Sequence, residues 1–408
     1  MQTRLSSSLL QTDWGKEADS ILRTCVHCGF CTATCPTYQL TGDELDGPRG
    51  RIYLIKQALE ETTATAKTRK HLDRCLVCRS CETTCPSGVR YHNLLQIGKQ
   101  VVDARVQRPL NERLLRWGMR TLLPYPARFA ALFKLGTLFK PLMPAALKAK
   151  MPVVHTTGAR PARTHERNVL LFEGCVQSVV ASSINAAASR VLDRLGIGCI
   201  TANGEGCCGA VSNHTGDVPA GVEMARRNID SWLPHLDAGA EAIITTASAC
   251  GLEIREYPEL LKNDPAYLPG AQRIASAVMD ISEFLSQSVD NTTLELSKPL
   301  PQISFHAPCT LQHGLKQTGT VEGLLQKLGF SVSTPLDAHL CCGSAGTYSI
   351  LQPEMALQLR DNKLEKLGAA DADVIATANI GCMMHLQSGT GTAVRHWIEI
   401  IDASLERV

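Results

Sequence analysis

Eight of the 17 cysteines in this chain fall into two copies of one spacing, Cys25-x-x-Cys28-x-x-Cys31-x-x-x-Cys35-Pro36 and Cys75-x-x-Cys78-x-x-Cys81-x-x-x-Cys85-Pro86. No other feature restricts the fold as much, because thiols at this density need either an oxidising compartment or a metal to occupy them. Residues 1 to 20 (MQTRLSSSLLQTDWGKEADS) lack the apolar core of a secretory signal, so the expectation is a chain in the reducing cytoplasm. Disulfides are therefore the poorer reading, and a thiolate-bound metal is the expectation.

Both runs match the two-cluster run of bacterial ferredoxins, in which three closely spaced thiolates wrap one iron–sulfur cube and the fourth, turned away by proline, serves the other. The ligand sets then cross. Cys25, Cys28, Cys31 and Cys85 are assigned to one [4Fe–4S] cluster, and Cys35, Cys75, Cys78 and Cys81 to a second. Tetrahedral zinc is the alternative on the same thiolates, but zinc sites seldom take such a run with a following Cys-Pro. Between the runs, GDELDGPRGRIYLIKQALE reads as a turn and then a helix, with Arg49 and Arg51 at a solvated helix start as the preferred reading and neutralisation of cluster charge or contact with a partner as the alternative.

At 408 residues the chain should hold two or three domains, and 44% hydrophobic residues, 20% charged residues and a net charge of +2 describe an ordinary soluble protein. Nothing in that balance points to nucleic acid. The C-terminal part contains a repeat. Cys175 precedes the pair Cys207, Cys208 by 32 residues, and Cys309 precedes Cys341, Cys342 by 32. Gly209 and Gly343 follow the pairs, and Cys250 and Cys382 follow after 42 and 40 residues, ending the similar runs EAIITTASAC and DVIATANIGC. The second copy is shorter mainly by lacking residues like 252 to 274. Within each copy β-branched runs alternate with helical periodicity, which implies parallel sheets covered by helices, with the cysteines at the carboxyl edge where α/β folds put ligands. GEGCCG at 204 to 209 formally fits a dinucleotide fingerprint, with Glu223 at about the right distance, but HLCCGSAG in the second copy keeps only the Cys-Cys-Gly. Cys199 has no counterpart and reads as a packing residue.

The stretches CVHCGFCTATCPTY, DGPRGRIYLIK, CLVCRSCETTCPSGV, HAPCTLQHGLK, CCGSAGTYSILQPEMA and NIGCMMHLQ resemble the iron–sulfur subunits of bacterial glycolate oxidases, also called glycolate dehydrogenases, over nearly the whole chain. The two repeats resemble the cysteine-rich domains shared with heterodisulfide reductases, lactate-utilisation proteins and anaerobic glycerol-3-phosphate dehydrogenases. The resemblance implies an electron-transfer subunit of an oxidoreductase complex, with glycolate oxidised to glyoxylate on separate FAD-binding flavoprotein subunits. Electrons then pass to a membrane acceptor, quinone by expectation, from a cytoplasmic chain peripheral to the inner membrane. No catalytic residue is assigned to this chain. Iron–sulfur subunits for D-lactate, lactate utilisation or anaerobic glycerol 3-phosphate, or a heterodisulfide-reductase-like thiol enzyme, stay open as alternatives. The heterodisulfide relatives hold further clusters through a Cys, Cys-Cys, Cys-x-x-Cys set. This sequence departs from that set, with Glu253 and His385 where the last cysteine would stand. A further iron–sulfur cluster or zinc has its candidate ligands in Cys309, Cys341, Cys342 and Cys382, with His385 or His306 in reach, ahead of Cys175, Cys207, Cys208 and Cys250; the alternative is a degenerate repeat retained for packing, its cysteines small buried apolar residues.

The expected fold is α+β overall: a helical, bacterial-ferredoxin-like domain at 1–104, a basic helical linker at 105–165, and homologous α/β cysteine-rich domains at 166–292 and 298–408. Residues 105 to 167 hold 13 lysines and arginines against Glu112 and Glu166, interleaved with apolar side chains. Such a stretch suits docking on a partner or on the chain itself, or an anionic membrane surface. It does not span a membrane, because Arg128, Lys134, Lys140 and prolines interrupt its best apolar window, 121 to 147.

Overall fold

The computed structural model describes residues 1–61, 63–139, 157–289, 294–368 and 370–406. Residues 140–156 of the expected linker and 290–293 at the end of the first repeat lie outside them. The chain divides into two compact units: Met1–Leu115 with Asp337–Lys363, and Arg116–Leu336 with Leu364–Val408.

The first unit is helical. Helix α1 (Asp13–Thr24) starts at Thr12, whose hydroxyl accepts from the Gly15 amide at 3.1 Å. Helix α2 (Pro48–Glu60) opens on proline, α3 (Ala66–Asp73) on a Thr65–Thr68 capping box, and α4 (Tyr91–Arg105) follows the second cysteine run. Helices α1, α2 and α3 all pack on α4, burying Ile21, Leu22, Ile52, Ile55, Leu72, Leu94 and Leu95. Gly98 allows the closest approach: a Cβ there would stand 2.5 Å from the Ile55 side chain. Helices α5 (Leu110–Leu122) and α6 (Pro126–Phe139) carry the described part of the basic stretch. Among the described residues no helix is long and apolar enough to cross a membrane.

The second unit contains two four-stranded parallel sheets. Strands β1 (Arg167–Leu171), β2 (Ile197–Ile200), β3 (Ile243–Thr245) and β4 (Val278–Asp280) take the order β2-β1-β3-β4. Strands β5 (Gln302–His306), β6 (Ser331–Ser333), β7 (Val374–Thr377) and β8 (Val394–His396) repeat it as β6-β5-β7-β8. Runs such as Val169–Leu171 and Ile243–Ile244 are buried, as a sheet covered on both faces requires. Strand order reverses beside β1 and β5, and such a switch point leaves a crevice at the carboxyl edge. The first copy's extra residues form short helices, Tyr257–Leu260 and Leu268–Ala277, before β4.

The copies pack with matching contacts. Helix α7 (Ser182–Arg194) meets α12 (Trp397–Ser404), and α10 (Ile281–Ser288) meets α11 (Thr320–Lys327); α8 (Val218–Asp237) and α9 (Ser248–Arg255) complete the first copy. Arg190 holds Asp402 through two bonds of 2.8 and 2.6 Å, and the Ser183 hydroxyl donates to Glu399 at 2.7 Å. His396, fully buried, donates from Nε2 to the Thr246 carbonyl at 2.8 Å and caps α12 by accepting the Ile398 amide on Nδ1 at 3.3 Å. Burial pushes its pKa down to about 3. Asp280 occupies the matching place before α10, bonded to the Ser282 amide at 2.9 Å, and burial pushes it up to about 6.

These shifts oppose each other. His396 is depressed, so its contribution is full above its ordinary pKa of about 6.5 and is lost as pH falls, about 2 kcal/mol by pH 5. Asp280 is raised, so the folded state regains about 1.4 kcal/mol as pH falls from 7 to 5. Asp280→Asn should therefore lose about 1.4 kcal/mol more stability than the parent between pH 7 and 5. Urea titrations at the two pH values test this, and equal losses in both proteins would refute it.

Candidate iron–sulfur centres

Each cysteine run in the first unit is a loop whose backbone changes hand twice. Positive φ values occur at His27 (55°) and Gly29 (87°) in the first run, and at the matching Val77 (56°) and Arg79 (61°) in the second. A left-handed conformation is costly for a β-branched residue such as Val77, and such strain persists only where surrounding structure enforces it. Alternation of this kind turns amides toward one side of the loop, making a nest for negative charge. The Val77 amide donates to the Cys75 sulfur at 3.5 Å. Single helical turns, Phe30–Ala33 and Ser80–Thr83, carry Cys31 and Cys81 and pack against each other. Pro36 starts the helix Pro36–Thr41 immediately after Cys35.

Two cavities result. One is lined by Cys35, Cys75, Cys78 and Cys81. The other is lined by Cys25, Cys28, Cys31 and Cys85, with Cys81 and Tyr91 reaching both. The fourth cysteine of each run thus lies with the first three of the other run. Burial, then Cys25 and Cys35 nearby, pushes the Cys31 thiol up to about 11, and burial with Cys78 and Cys75 raises Cys81 well above the usual thiol range. So many thiols shed their protons together only when a metal takes the charge. Four sulfurs, apolar walls and inward amides fit an iron–sulfur cube at each place.

The expectation of a solvated helix start fails at Arg51, which is 1% exposed in the wall of the Cys35/Cys75 cavity. Its Nε donates to the His71 carbonyl at 2.8 Å, and its Nη2 donates to the Thr37 hydroxyl at 3.1 Å, which stands 3.3 Å from the Cys35 sulfur. Asp46, also buried, lies 3.7 Å from Nη2 and is held more closely by His71 at 2.8 Å and Arg74 at 2.7 Å. Burial alone would lower the Arg51 pKa, but Cys75, Tyr91, Cys35 and Asp46 raise it, so it stays a cation. Arg49, paired with Glu44 at 2.5 Å, keeps 37% side-chain exposure beside the other cavity. Tyr348, from the Asp337–Lys363 segment, has its phenol pushed up by burial and senses Arg51, Cys75 and Cys341.

In the first repeat Cys175, Cys207–Cys208 and Cys250 follow β1, β2 and β3, and the structure brings all four together. The Cys175 sulfur lies 3.3 Å from that of Cys207, while Cys208 is hydrogen-bonded to Cys207 and Cys250. Thiol donation from Cys175 and Cys208, then the Gly209 amide and Arg227, holds Cys207 well below the usual thiol range against the effect of burial. Asn228, fully buried, fixes the turn by accepting the Gly206 amide at 2.9 Å and donating to the Cys207 carbonyl at 3.0 Å. Glu253 accepts from Asn213 at 2.5 Å, and half-buried Cys199 sits apart on β2. The nucleotide fingerprint has no footing here. GEGCCG follows an edge strand, its Glu205 binds the Glu173 amide and Trp232, and Glu223 is an exposed partner of Arg226.

In the second repeat Cys309 and Cys382 are buried after β5 and β7 in the second unit, whereas the buried pair Cys341, Cys342 belongs to the segment grouped with the first. His306 and Cys382 offer ligand atoms within 4.8 Å of each other. His385 is half-buried.

Comparison with known sequences supplies the family. A 4Fe-4S dicluster domain matches residues 21–89, and a cysteine-rich domain matches twice, at 169–255 and 303–387. The chain is 53% identical over 409 residues to the glycolate oxidase iron–sulfur subunit of Escherichia coli K12, covering 100% of both. It belongs to the glycolate oxidase iron–sulfur subunit family. The probable glycolate oxidase iron–sulfur subunit of Bacillus subtilis is 29% identical over 95% of this chain and 94% of its own length. Lactate utilization protein A of Bacillus licheniformis is 27% identical over 58% of this chain and 99% of its own. A hypothetical protein from Helicobacter pylori shares the fold, with a TM-score of 0.60 at 11% identity over 97% of this chain and 73% of that one.

As a member of that family the chain is an iron–sulfur, electron-transfer protein with mixed helices and parallel sheets. Sequence reasoning held a cluster-neutralising Arg51 only as the alternative and did not foresee the places of Asp46, His71 and Tyr91 in this glycolate oxidase subunit homologue. The available signal was the acid and two arginines packed into DGPRGR between the runs.

Proposed function

We propose that this chain is the electron-relay subunit of a complex oxidising glycolate to glyoxylate, taking electrons from FAD-bearing partner subunits and delivering them to a membrane quinone. The observation that carries the relay is the exchange of fourth cysteines between the two cavities. In this reading Cys25, Cys28, Cys31 and Cys85 hold one [4Fe–4S] cluster, and Cys35, Cys75, Cys78 and Cys81 hold the other. A bound cube supplies one-electron chemistry, and the protein supplies thiolates, inward amides and exclusion of water.

Membrane contact is supported by α6. None of its residues is buried, and Leu135 and Leu138 are exposed at 52% and 73% alongside Arg128 and Lys134. That combination suits an anionic lipid surface.

Iron, sulfide and zinc content with low-temperature EPR on anaerobically purified chain tests the reading. About 8 Fe with two interacting cubane signals is the expected result. About 12 Fe, or 8 Fe with zinc, would add a metal in the repeats, where Cys175, Cys207, Cys208 and Cys250 already converge. Zinc without iron would end the relay reading. Lactate as the substrate is the second reading, favoured by the likeness to lactate utilization protein A. Co-purified flavoprotein turning over lactate but not glycolate would establish it.

A further inference from the structure

Reduction adds a negative charge to an iron–sulfur cube, so a buried cation nearby favours the reduced state far more than one screened by water. The two cavities differ in this respect. Arg51 is 1% exposed, shares the wall of the Cys35/Cys75 cavity and reaches Cys35 through one hydroxyl, with steps of 3.1 and 3.3 Å. Its counter-charge is diluted, because Asp46 binds His71 at 2.8 Å and Arg74 at 2.7 Å more closely than it binds Arg51 at 3.7 Å. Arg49, at the other cavity, is neutralised by Glu44 and reached by solvent.

We propose that Arg51 is a redox-positioning residue: its buried charge makes the cluster held by Cys35, Cys75, Cys78 and Cys81 easier to reduce, and leaves the other cluster unaffected. The consequence is directional: an electron entering the unit settles on the cluster held by Cys35, Cys75, Cys78 and Cys81. This inference rests on the cluster assignment proposed above, and the test separates the two.

Two full-length backgrounds are needed, one with Cys28→Ala and Cys85→Ala, the other with Cys35→Ala and Cys78→Ala. Each should retain about 4 Fe. If neither parent holds iron, the assignment falls and this inference with it. Arg51→Gln is then added to each, and the midpoint is read by EPR-monitored redox titration. A downward shift confined to the first background is expected, and Arg51→Lys, which keeps the charge, should stay near the parent. No shift, or equal shifts in both backgrounds, overturns the proposal while leaving the assignment intact. If Arg51→Gln does not take up iron, Asp46→Asn in the first background decides, because loss of the counter-charge must raise the midpoint. A lowered or unchanged midpoint there also overturns it.

Discussion

Combining Cys28→Ala with Cys85→Ala should leave one undamaged cubane and about 4 Fe per chain, whereas Cys28→Ala with Cys35→Ala should leave no undamaged cubane at all. The contrast follows from which sulfurs share a cavity. Cys28 and Cys85 line one cavity together, so removing both abandons a single site. Cys28 and Cys35 belong to the same sequence run but to different cavities, so their loss takes one ligand from each. The EPR line shape of the surviving cluster distinguishes the cases without any activity measurement. A normal cubane spectrum in the Cys28/Cys35 pair, and none in the Cys28/Cys85 pair, would show that each run serves its own cluster.

The grouping of cysteines across the two runs follows a pattern that is local in sequence: two-residue gaps put three sulfurs on one side of a loop, and proline ends each loop, by starting a helix at Pro36 and a turn at Pro86. The repeat was legible for a related reason. Equal spacing between Cys175 and Cys207 and between Cys309 and Cys341 leaves room for the same strand–helix–strand order in each copy, so β1 and β2 are matched by β5 and β6, although the helix between them is longer in the first copy. Burial of Arg51 was not legible. A cation at the start of a helix is ordinarily solvated, and the Thr37 hydroxyl, the distant His71 carbonyl and the Asp46 carboxylate together make its burial tolerable. The grouping of Asp337–Lys363 with the ferredoxin-like helices was equally hidden, since no periodicity within a segment reports which other part of the chain it packs on. AVMDISEFL at 277–285 and AVRHWIEII at 393–401 align Asp280 with His396 before α10 and α12, but the complete burial that shifts the two in opposed senses comes from packing and was not legible.

Gly343→Ala should destabilise the chain by about 3 to 5 kcal/mol and Gly209→Ala by only about 1 to 2, although both glycines end the same Cys-Cys-Gly motif. Each has a left-handed backbone, with φ of 87° at Gly343 and 100° at Gly209, and each directs its amide back to the first sulfur of its pair. That geometry explains the glycine: an L residue there is strained, and without the turn the amide no longer meets Cys341 or Cys207. The surroundings set the difference. A methyl at Gly343 would stand 2.6 Å from the Ala356 carbonyl oxygen and 2.9 Å from the Leu359 Cβ, two atoms fixed to the first turns of the helix Pro353–Gly368, so the helix itself must move. At Gly209 the nearest atom is the Gly221 carbonyl oxygen at 3.3 Å, in the first turn of α8, where a shift of a few tenths of an ångström suffices. Urea midpoints of the two variants measure the gap, and thiol labelling of the denatured fraction shows which cysteine pair has opened. Equal losses would mean that backbone handedness alone sets the cost and that the close approach of the following helix contributes nothing.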